Sequence, residues 1–180
     1  MQPSVFDFQQ NYFRLFGVAQ SFKLDTAQLE LNFRSLQAQI HPDKSAHLPD
    51  AEQRLAMQRS TLVNEAYQTL RSPIRRARYL LSLQGVDTQE ETNTAMPVDF
   101  LMAQMEWREA VAEAQQARDV GALGRLEARM KDETRGFEAQ LAVKIDTEQD
   151  YALAAGLVRK LRFMEKLAEE IDSAYDEIDL

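Results

Sequence analysis

Pro42 divides a stretch of sequence that is otherwise patterned as two helices. Proline lacks a backbone N–H and disfavours the α-helical conformation at the residue before it, so the upstream helix should end by His41. On both sides, apolar residues recur at the spacing of an amphipathic helix with one buried face. They are Leu29, Phe33, Leu36 and Ile40 before the proline, and Leu55, Leu62, Ala66 and Leu70 after it. The pattern predicts a helical hairpin with the polar segment 41–44 at its tip.

Capping signals set the limits of the two hairpin helices. Asp25 with Gln28, and Asp50 with Gln53, have the three-residue spacing of a capping box, in which side chains bond the free N–H groups of a first helical turn. The second hairpin helix should run to about Arg71. Both helices are therefore expected to begin at an aspartate.

Two shorter helices flank the predicted hairpin. Residues 12–18 indicate one or two helical turns closed by Gly17. Ser72 and Pro73 predict a helix start, because proline is favoured at the first helical position. That helix should cover residues 74–83 and end at Gly85.

Composition restricts the class of protein. Of 180 residues, 44% are hydrophobic and 28% charged, and Gly and Pro are scarce, which is typical of a helical globular protein that can build a core. No uncharged apolar run is long enough to span a membrane, and the N-terminus lacks the basic start and apolar stretch of a signal peptide. The complete absence of cysteine excludes disulfides within the chain and fits a cytoplasmic protein.

Charge is divided unequally along the chain. Residues 1–84 hold ten Lys or Arg and seven Asp or Glu, whereas residues 85–180 hold eleven and twenty-two. An acidic second half argues against nucleic-acid binding, which depends on neutralising phosphates. The asymmetry indicates either two modules with different partners or simply two solvated surfaces of unequal charge.

The second half is patterned as three long helices. Residues 85–96 are polar and predict a linker between a first domain, 1–84, and a second, 97–180. Helices are expected from Pro97 to about Arg118, from Asp119 to about Ile145, and from Thr147 onward. The apolar spacing approaches a heptad repeat with short connections, which predicts an antiparallel three-helix bundle. Its predicted seam residues are Leu123, Leu126, Met130, Phe137, Leu141 and Ile145 on the second helix, and Ala154, Leu157, Leu161, Met164, Ala168, Ile171, Tyr175 and Ile178 on the third. The fold expected from the whole chain is all-α.

His41, Asp43 and His47 raise the alternative of a catalytic or metal site. Acid–base catalysis needs a poised group and a partner that positions the substrate, but the chain has no glycine-rich phosphate loop and no nucleophile elbow. Because Pro42 is expected to end the helix, these residues also lack the regular spacing of metal ligands on one helix. We therefore expect no enzyme activity, metal or cofactor. Taken alone, the tripeptide could simply be a proline that ends a helix between capping polar residues.

The first half resembles a J-domain. The resemblance is carried by the turn YFRLFGV at 12–18, the tetrapeptide HPDK, the segment NEAYQTL at 64–70 on the second hairpin helix, and the short helix that follows. In that family the His-Pro-Asp element stimulates ATP hydrolysis by a DnaK-class chaperone. The resemblance therefore implies a chaperone-binding site at His41, Pro42, Asp43, Lys44 and Arg34.

This sequence departs from the usual J-domain pattern in its charge. They usually carry several basic residues on the first hairpin helix, whereas here Arg34 is the one within it, with Lys23 before and Lys44 after. Arg75, Arg76 and Arg78 on the fourth helix either compensate or form a solvated basic face.

The first bundle helix carries more apolar residues than a core stripe needs. At 100° per residue its core stripe is Phe100, Ala103, Trp107, Ala110, Val111 and Ala114. Leu101, Met102 and Met105 fall roughly opposite, bordered by Glu106, Glu109 and Glu113, and Phe163 on the last helix points away from its own seam. Apolar patches with polar rims mark interaction sites. The alternative is that these residues pack beneath the first domain or belong to a broader bundle face.

A J-domain followed by an acidic bundle containing FLMAQMEWRE and RKLRFMEKL resembles the HscB family of iron–sulfur-assembly co-chaperones. In that family the bundle binds the scaffold protein IscU, and the J-domain acts on an HscA-type chaperone to promote cluster transfer. The matching scaffold-binding positions are Leu101, Met102, Met105, Glu106, Glu109 and Phe163. Met105 stands where leucine is usual, a change that conserves volume. The N-terminal cysteine pair of some relatives is missing, so no metal is implied. The competing function is a general J-domain adaptor that captures unfolded clients.

Overall fold

The structure is a computed structural model that describes residues 10–40, 49–90 and 96–179. His41, Pro42, Asp43, Lys44 and His47 lie outside the described residues, as does part of the predicted linker, 91–95. Within the described ranges the chain is helical and contains no strand. It divides into two compact units, Met1–Leu80 and Leu81–Leu180. No helix in the described ranges has an apolar stretch long enough to cross a lipid bilayer.

The first helix among the described residues is a single turn, α1 (Tyr12–Leu15), which the side chain of Asn11 caps. Gly17 follows with a φ of +63°, in the left-handed region that glycine adopts without strain, and ends the turn as predicted. The next helix, α2 (Thr26–Ile40), starts where Asp25 Oδ1 accepts hydrogen bonds from the N–H groups of Ala27 and Gln28. The Gln28 side chain donates to Asn32 instead of reaching back, so half of the predicted capping box forms.

The second hairpin helix, α3 (Asp50–Arg71), begins differently from the prediction. Asp50 is its first residue and Pro49 precedes it as the cap residue, without a side-chain hydrogen bond. Pro49 is suited to this place because its fixed φ and missing N–H do not matter before a helix. The expectation that Asp50 caps α3 is therefore wrong. Its carboxylate still lies in the first turn, where a negative charge interacts favourably with the helix dipole.

The first unit's core lies between α2 and the second half of α3. Leu29, Val63, Ala66 and Leu70 are buried, with Phe13, Phe16 and Phe22 beside them. The predicted apolar stripe is thus confirmed toward the end of α3, but Leu55 is exposed. Burial on α3 starts at Val63, so its first turns do not contribute to this core.

The fourth helix, α4 (Pro73–Leu83), starts at the predicted proline and is followed by Gly85 with a φ of +72°. Arg76 on α4 is buried rather than solvated: its guanidinium lies 5.0 Å from the ring centroid of Phe22, and Nη1 donates to the Leu70 carbonyl at 2.6 Å. Arg76 thereby ties the end of α3 to the loop before α2. The expectation of a solvated basic face is wrong for this residue.

The second unit is built on α5 (Val98–Gln116), α6 (Val120–Ala142) and α7 (Tyr151–Asp179). The helix α6 starts next to Asp119 as predicted, and the Asp119 side chain caps it, since its Oδ1 accepts a hydrogen bond of 2.8 Å from the N–H of Ala122. Residues Val143–Thr147 continue α6 as a π-helical turn. The third bundle helix then begins four residues later than predicted, because Gln149 adopts a left-handed φ of 55° and Asp150 caps α7 through the N–H of Leu153.

Part of the predicted linker packs against α7. The Thr88 carbonyl accepts a hydrogen bond of 3.0 Å from Arg159 Nη1, and the residue is buried. The Thr88 hydroxyl donates to Glu90 at 2.6 Å. The described residues 85–90 therefore include a segment held on the second unit.

Candidate functional site

Four large apolar side chains of α5 are exposed: Val98 in its first turn, and the three that the sequence predicts as a partner site. Leu101 is 40% exposed, Met102 58% and Met105 73%. The core stripe on the same helix is buried at Phe100, Trp107, Val111 and Ala114. The alternative that Leu101, Met102 and Met105 belong to a broader bundle face is wrong, because such a face would bury them. We call Leu101, Met102 and Met105 the α5 patch.

Phe163 does not lie where the sequence predicted. It is 6% exposed and belongs to the bundle core, where its ring meets Phe100 edge to face with centroids 5.7 Å apart. Its helix, α7, packs against both α5 and α6 and therefore buries a broader face than one heptad seam, including Ala155, Val158, Leu167 and Ala174. The expectation that Phe163 points away from the core is wrong, and its ring can support the α5 patch only from beneath.

Acidic side chains border the α5 patch as predicted. Glu106, Glu109 and Glu113 are all exposed on the outward side of α5. The flank of α5 that faces α7 instead carries Arg108, whose guanidinium lies 5.8 Å from the ring centroid of Phe163. Arg108 was not predicted as part of this surface, although its position three residues after Met105 and seven after Leu101 places it on the same side of α5.

The aromatic core beneath the α5 patch is covered by cations at its edges. The Arg129 guanidinium lies 4.3 Å from the Trp107 ring centroid, and Lys160 Nζ lies 5.1 Å and 5.5 Å from those of Phe100 and Phe137. Such contacts add stability where the ring would otherwise meet water. These contacts join α5, which presents the patch, to both α6 and α7.

The described residues on either side of the predicted chaperone-binding tip form a packed pair of helices. Arg34 on α2 is exposed and pairs with Glu30 one turn earlier. Arg75 is exposed and Arg78 half-buried. His41, Pro42, Asp43 and Lys44 lie outside the described residues. Among the residues that are described, no group of three or more His, Asp or Glu is arranged to hold a metal ion.

Two protein families match the two halves of the chain. The DnaJ domain matches residues 11–79, and the HSCB C-terminal oligomerisation domain matches residues 96–172. A relative from Azoarcus sp. (strain BH72), named Co-chaperone protein HscB homolog, is 49% identical over 173 residues, 96% of this chain and 98% of the relative. One of the same name from Chromobacterium violaceum is 52% identical over 172 residues, 96% of this chain and 97% of the relative.

Solved structures match the fold. Chaperone HscB from Vibrio cholerae superposes with a TM-score of 0.85 at 39% identity, covering 92% of this chain and 98% of that one. Human co-chaperone protein HscB gives a TM-score of 0.87 at 32% identity, covering 92% of this chain and 82% of that one.

An all-α chain that joins a DnaJ domain to a helical bundle is a J-domain co-chaperone, a class of protein that is not itself an enzyme. The chain belongs to the HscB family of co-chaperones, whose role is in iron–sulfur cluster assembly. Membership implies two partners, a DnaK-class chaperone and a scaffold client.

Proposed function

We propose that this chain links an IscU-type iron–sulfur scaffold to an HscA-type chaperone in the cytoplasm. The bundle binds the scaffold, and the J-domain stimulates the ATPase of the chaperone, so that ATP hydrolysis is coupled to cluster transfer. The cluster is cargo held by the scaffold, because this chain has no cysteine with which to hold it.

The observation that carries the proposal is the α5 patch. Leu101, Met102 and Met105 are exposed together on a packed helix with an acidic border, and apolar patches with polar rims are typical of protein-binding surfaces. Full burial of one such side chain contributes about 1.5–3 kcal/mol. Even partial burial of all three would therefore change the affinity for a partner by about tenfold or more. Glu106 and Glu109 would orient the scaffold, and Phe163 would support the patch from below.

The chaperone-binding part of the proposal assigns ATPase stimulation to His41, Pro42 and Asp43, with Lys44 and Arg34 as basic contacts. Its support is the DnaJ-domain match over residues 11–79, which spans the tripeptide. The exposure of Arg34 on α2 is compatible with contact to an acidic partner surface.

A titration tests both parts together. The purified chain is added to the HscA-type chaperone with and without the IscU-type scaffold, and ATP hydrolysis is measured. We expect stimulation by the chain alone and further stimulation when the scaffold is present. A chaperone that responds equally with and without the scaffold would contradict the coupling.

The second candidate, a general adaptor for unfolded clients, is favoured by one feature, the two exposed methionines of the α5 patch. Methionine is flexible and suits surfaces that bind several partners. Affinity capture from lysate separates the two functions. Recovery of one scaffold in stoichiometric amount supports the proposal, and recovery of many unrelated unfolded proteins supports the alternative.

A further inference from the structure

The side of α3 that faces away from its buried residues carries an open groove with a mainly apolar lining. Its volume is about 580 Å³. The lining residues recur at separations of three and four, so they share one face of the helix. They are Arg54, Met57, Gln58, Thr61, Leu62 and Glu65. We call this surface the α3 groove.

The core of the first unit leaves apolar side chains of the α3 groove uncovered. Met57 is 64% exposed, and Leu62 is half-buried. Leu55, three residues before Gln58, is also exposed. An amphipathic helix normally buries its apolar residues against another segment. Here the apolar residues of the first turns of α3 remain in contact with water, and an apolar segment would remove them from it.

Tyr12 lies at the Glu65 end of the α3 groove and is held there from two sides. Its hydroxyl donates a hydrogen bond to the Glu65 carboxylate. Its ring stacks on that of Tyr79 on α4 with centroids 4.4 Å apart, and its backbone N–H donates to the Tyr79 hydroxyl at 3.0 Å. The chain bends at Gln10, just before this anchor. The residues that precede Gln10 are therefore attached beside one end of the groove.

The sequence before Gln10 has the composition and the reach to cover the α3 groove. Residues 1–9 lie outside the described residues and include three apolar side chains, Val5, Phe6 and Phe8. From Arg54 to Glu65 the groove follows eleven residues of α3, or about 16 Å at the rise of an α-helix. An extended chain covers about 3.3 Å per residue, so about five residues are long enough.

The two phenylalanines match the spacing of the uncovered residues. Alternate residues of an extended segment point to the same side and lie about 6.6–6.8 Å apart. Met57 and Leu62 are five residues apart on α3, which corresponds to about 7.5 Å along the helix axis. One ring can therefore cover each of them.

We propose that residues 4–9 bind the α3 groove as an extended segment, with Phe8 against Leu62 and Phe6 against Met57. The inference is independent of the proposed function. Bound in this way, the segment holds the first turns of α3, which follow directly on residues 41–48. It also closes this face of α3 to other proteins.

Paired thiols test the inference in the full chain, which has no cysteine of its own. Asp7→Cys with Gln58→Cys keeps both phenylalanines and places one thiol on the segment and one in the α3 groove. A short bismaleimide should join the two thiols within one chain, as measured by mass spectrometry after digestion. Binding of the segment raises the effective concentration of one thiol at the other, so the cross-link should form about tenfold faster than in a control pair.

The matched control is Asp7→Cys with Asn64→Cys. Asn64 is exposed on α3, about 120° around the helix from Gln58, and it lies nearer to the Glu65 end. A segment that does not bind the groove would reach Asn64 at least as easily as Gln58. Equal rates for the two pairs, or a faster reaction at Asn64, would overturn the inference.

The two phenylalanines should account for the difference in rate. Phe6→Ala with Phe8→Ala, added to the Gln58 pair, should slow its cross-linking to the rate of the Asn64 pair. In the cysteine-free chain the same two changes should lower the melting temperature by about 4 °C or more, because two rings lose their burial. A cross-linking rate or a melting temperature that does not fall would contradict the inference.

Two other occupants of the α3 groove would give different results. Cross-links that join two chains would make the groove an interface between copies. Protection of the Gln58→Cys thiol from modification only when an HscA-type chaperone is added would make the groove a chaperone-binding surface. Either result overturns the assignment of the groove to residues 4–9.

Discussion

Phe33 and Tyr67 stack face to face, with ring centroids 4.0 Å apart and planes 12° from parallel. Phe33 lies on α2 and Tyr67 on α3, so the pair joins the two helices that lead into and out of residues 41–48. Stacked aromatic pairs contribute about 0.5–1.5 kcal/mol beyond the area they bury. The pair is therefore a principal tie between the helices that carry the predicted chaperone-binding tip.

Removing the buried member of this pair should loosen the hairpin. Tyr67→Ala leaves a cavity and should lower the free energy of unfolding by about 3–5 kcal/mol. Gln68→Ala, at the exposed next position, should change it by less than about 0.5 kcal/mol. Urea denaturation followed by circular dichroism measures both. Equal stability of the two variants would show that the stacked pair does not hold α2 to α3.

The His-Pro-Asp tripeptide should act on the chaperone and not on the scaffold. Asp43→Ala and His41→Gln are each expected to abolish ATPase stimulation while helicity and scaffold affinity stay at wild-type values, because neither residue belongs to the bundle. Steady-state ATP hydrolysis, circular dichroism and calorimetry measure the three properties. Stimulation that survives in both variants would refute the role of the tripeptide.

The α5 patch and the residue beneath it should respond differently to truncation. Leu101→Ala with Met105→Ala should weaken scaffold binding by tenfold or more, since each side chain contributes up to about 1.5–3 kcal/mol when buried. Its melting temperature should match that of Val120→Ala, an exposed control at the start of α6.

Phe163→Ala should instead lower the free energy of unfolding by about 3–5 kcal/mol, because it empties a core position against Phe100. If Phe163→Ala also binds the scaffold more weakly, we expect the cause to be a shift of α5 and not the loss of a direct contact. A Phe163→Ala variant as stable as the wild type would contradict its burial.

The acidic border should govern encounter with the scaffold more than residence time. Raising salt from low to physiological concentration should slow association more than it speeds dissociation. Glu106→Gln with Glu109→Gln should reduce the salt dependence of the association rate, which stopped-flow measurement resolves. An association rate that is indifferent to salt in the wild type would remove electrostatic steering from the mechanism.

Alkaline pH should weaken the first unit through Tyr79. Burial raises the pKa of Tyr79 above its ordinary value of 10.0, and its hydroxyl oxygen accepts a hydrogen bond from the N–H of Tyr12. The unfolded chain therefore ionises first, so this contribution to stability is complete below about pH 10 and is lost as pH rises through the folded-state pKa. Tyr79→Phe should be less stable at pH 8 and lose stability less steeply from pH 9 to 11. Identical slopes in the two proteins would contradict this.

Most helix limits could be predicted from the sequence because capping is local. Asp25, Asp119, Pro73 and Gly85 mark boundaries through groups within a few residues of each, and the structure has them in those roles. The exception at Asp50 is also local, since Pro49 takes the position before the helix. The exposure of the α5 patch was equally predictable from the 100° rotation per residue.

The burial of Phe163 and Arg76 depends on contacts between helices, so it could not be predicted from local sequence signals. Periodicity along α7 identifies one apolar seam, but it does not give the width of the face that α5 and α6 together bury on α7, and so Phe163 was placed outside the core. Arg76 is buried because Phe22 and the Leu70 carbonyl, distant from each other in sequence, converge on it. Its charge alone predicts a solvated side chain.

The position of Trp107 makes its fluorescence a probe of the bundle. Trp107 is the one tryptophan of the chain, and it is almost completely enclosed in the second unit beneath Arg129. Its fluorescence therefore reports on the packing of the bundle around it. Tryptophan emission and far-ultraviolet circular dichroism, recorded on one sample, can therefore compare melting of the bundle with loss of helix in the whole chain.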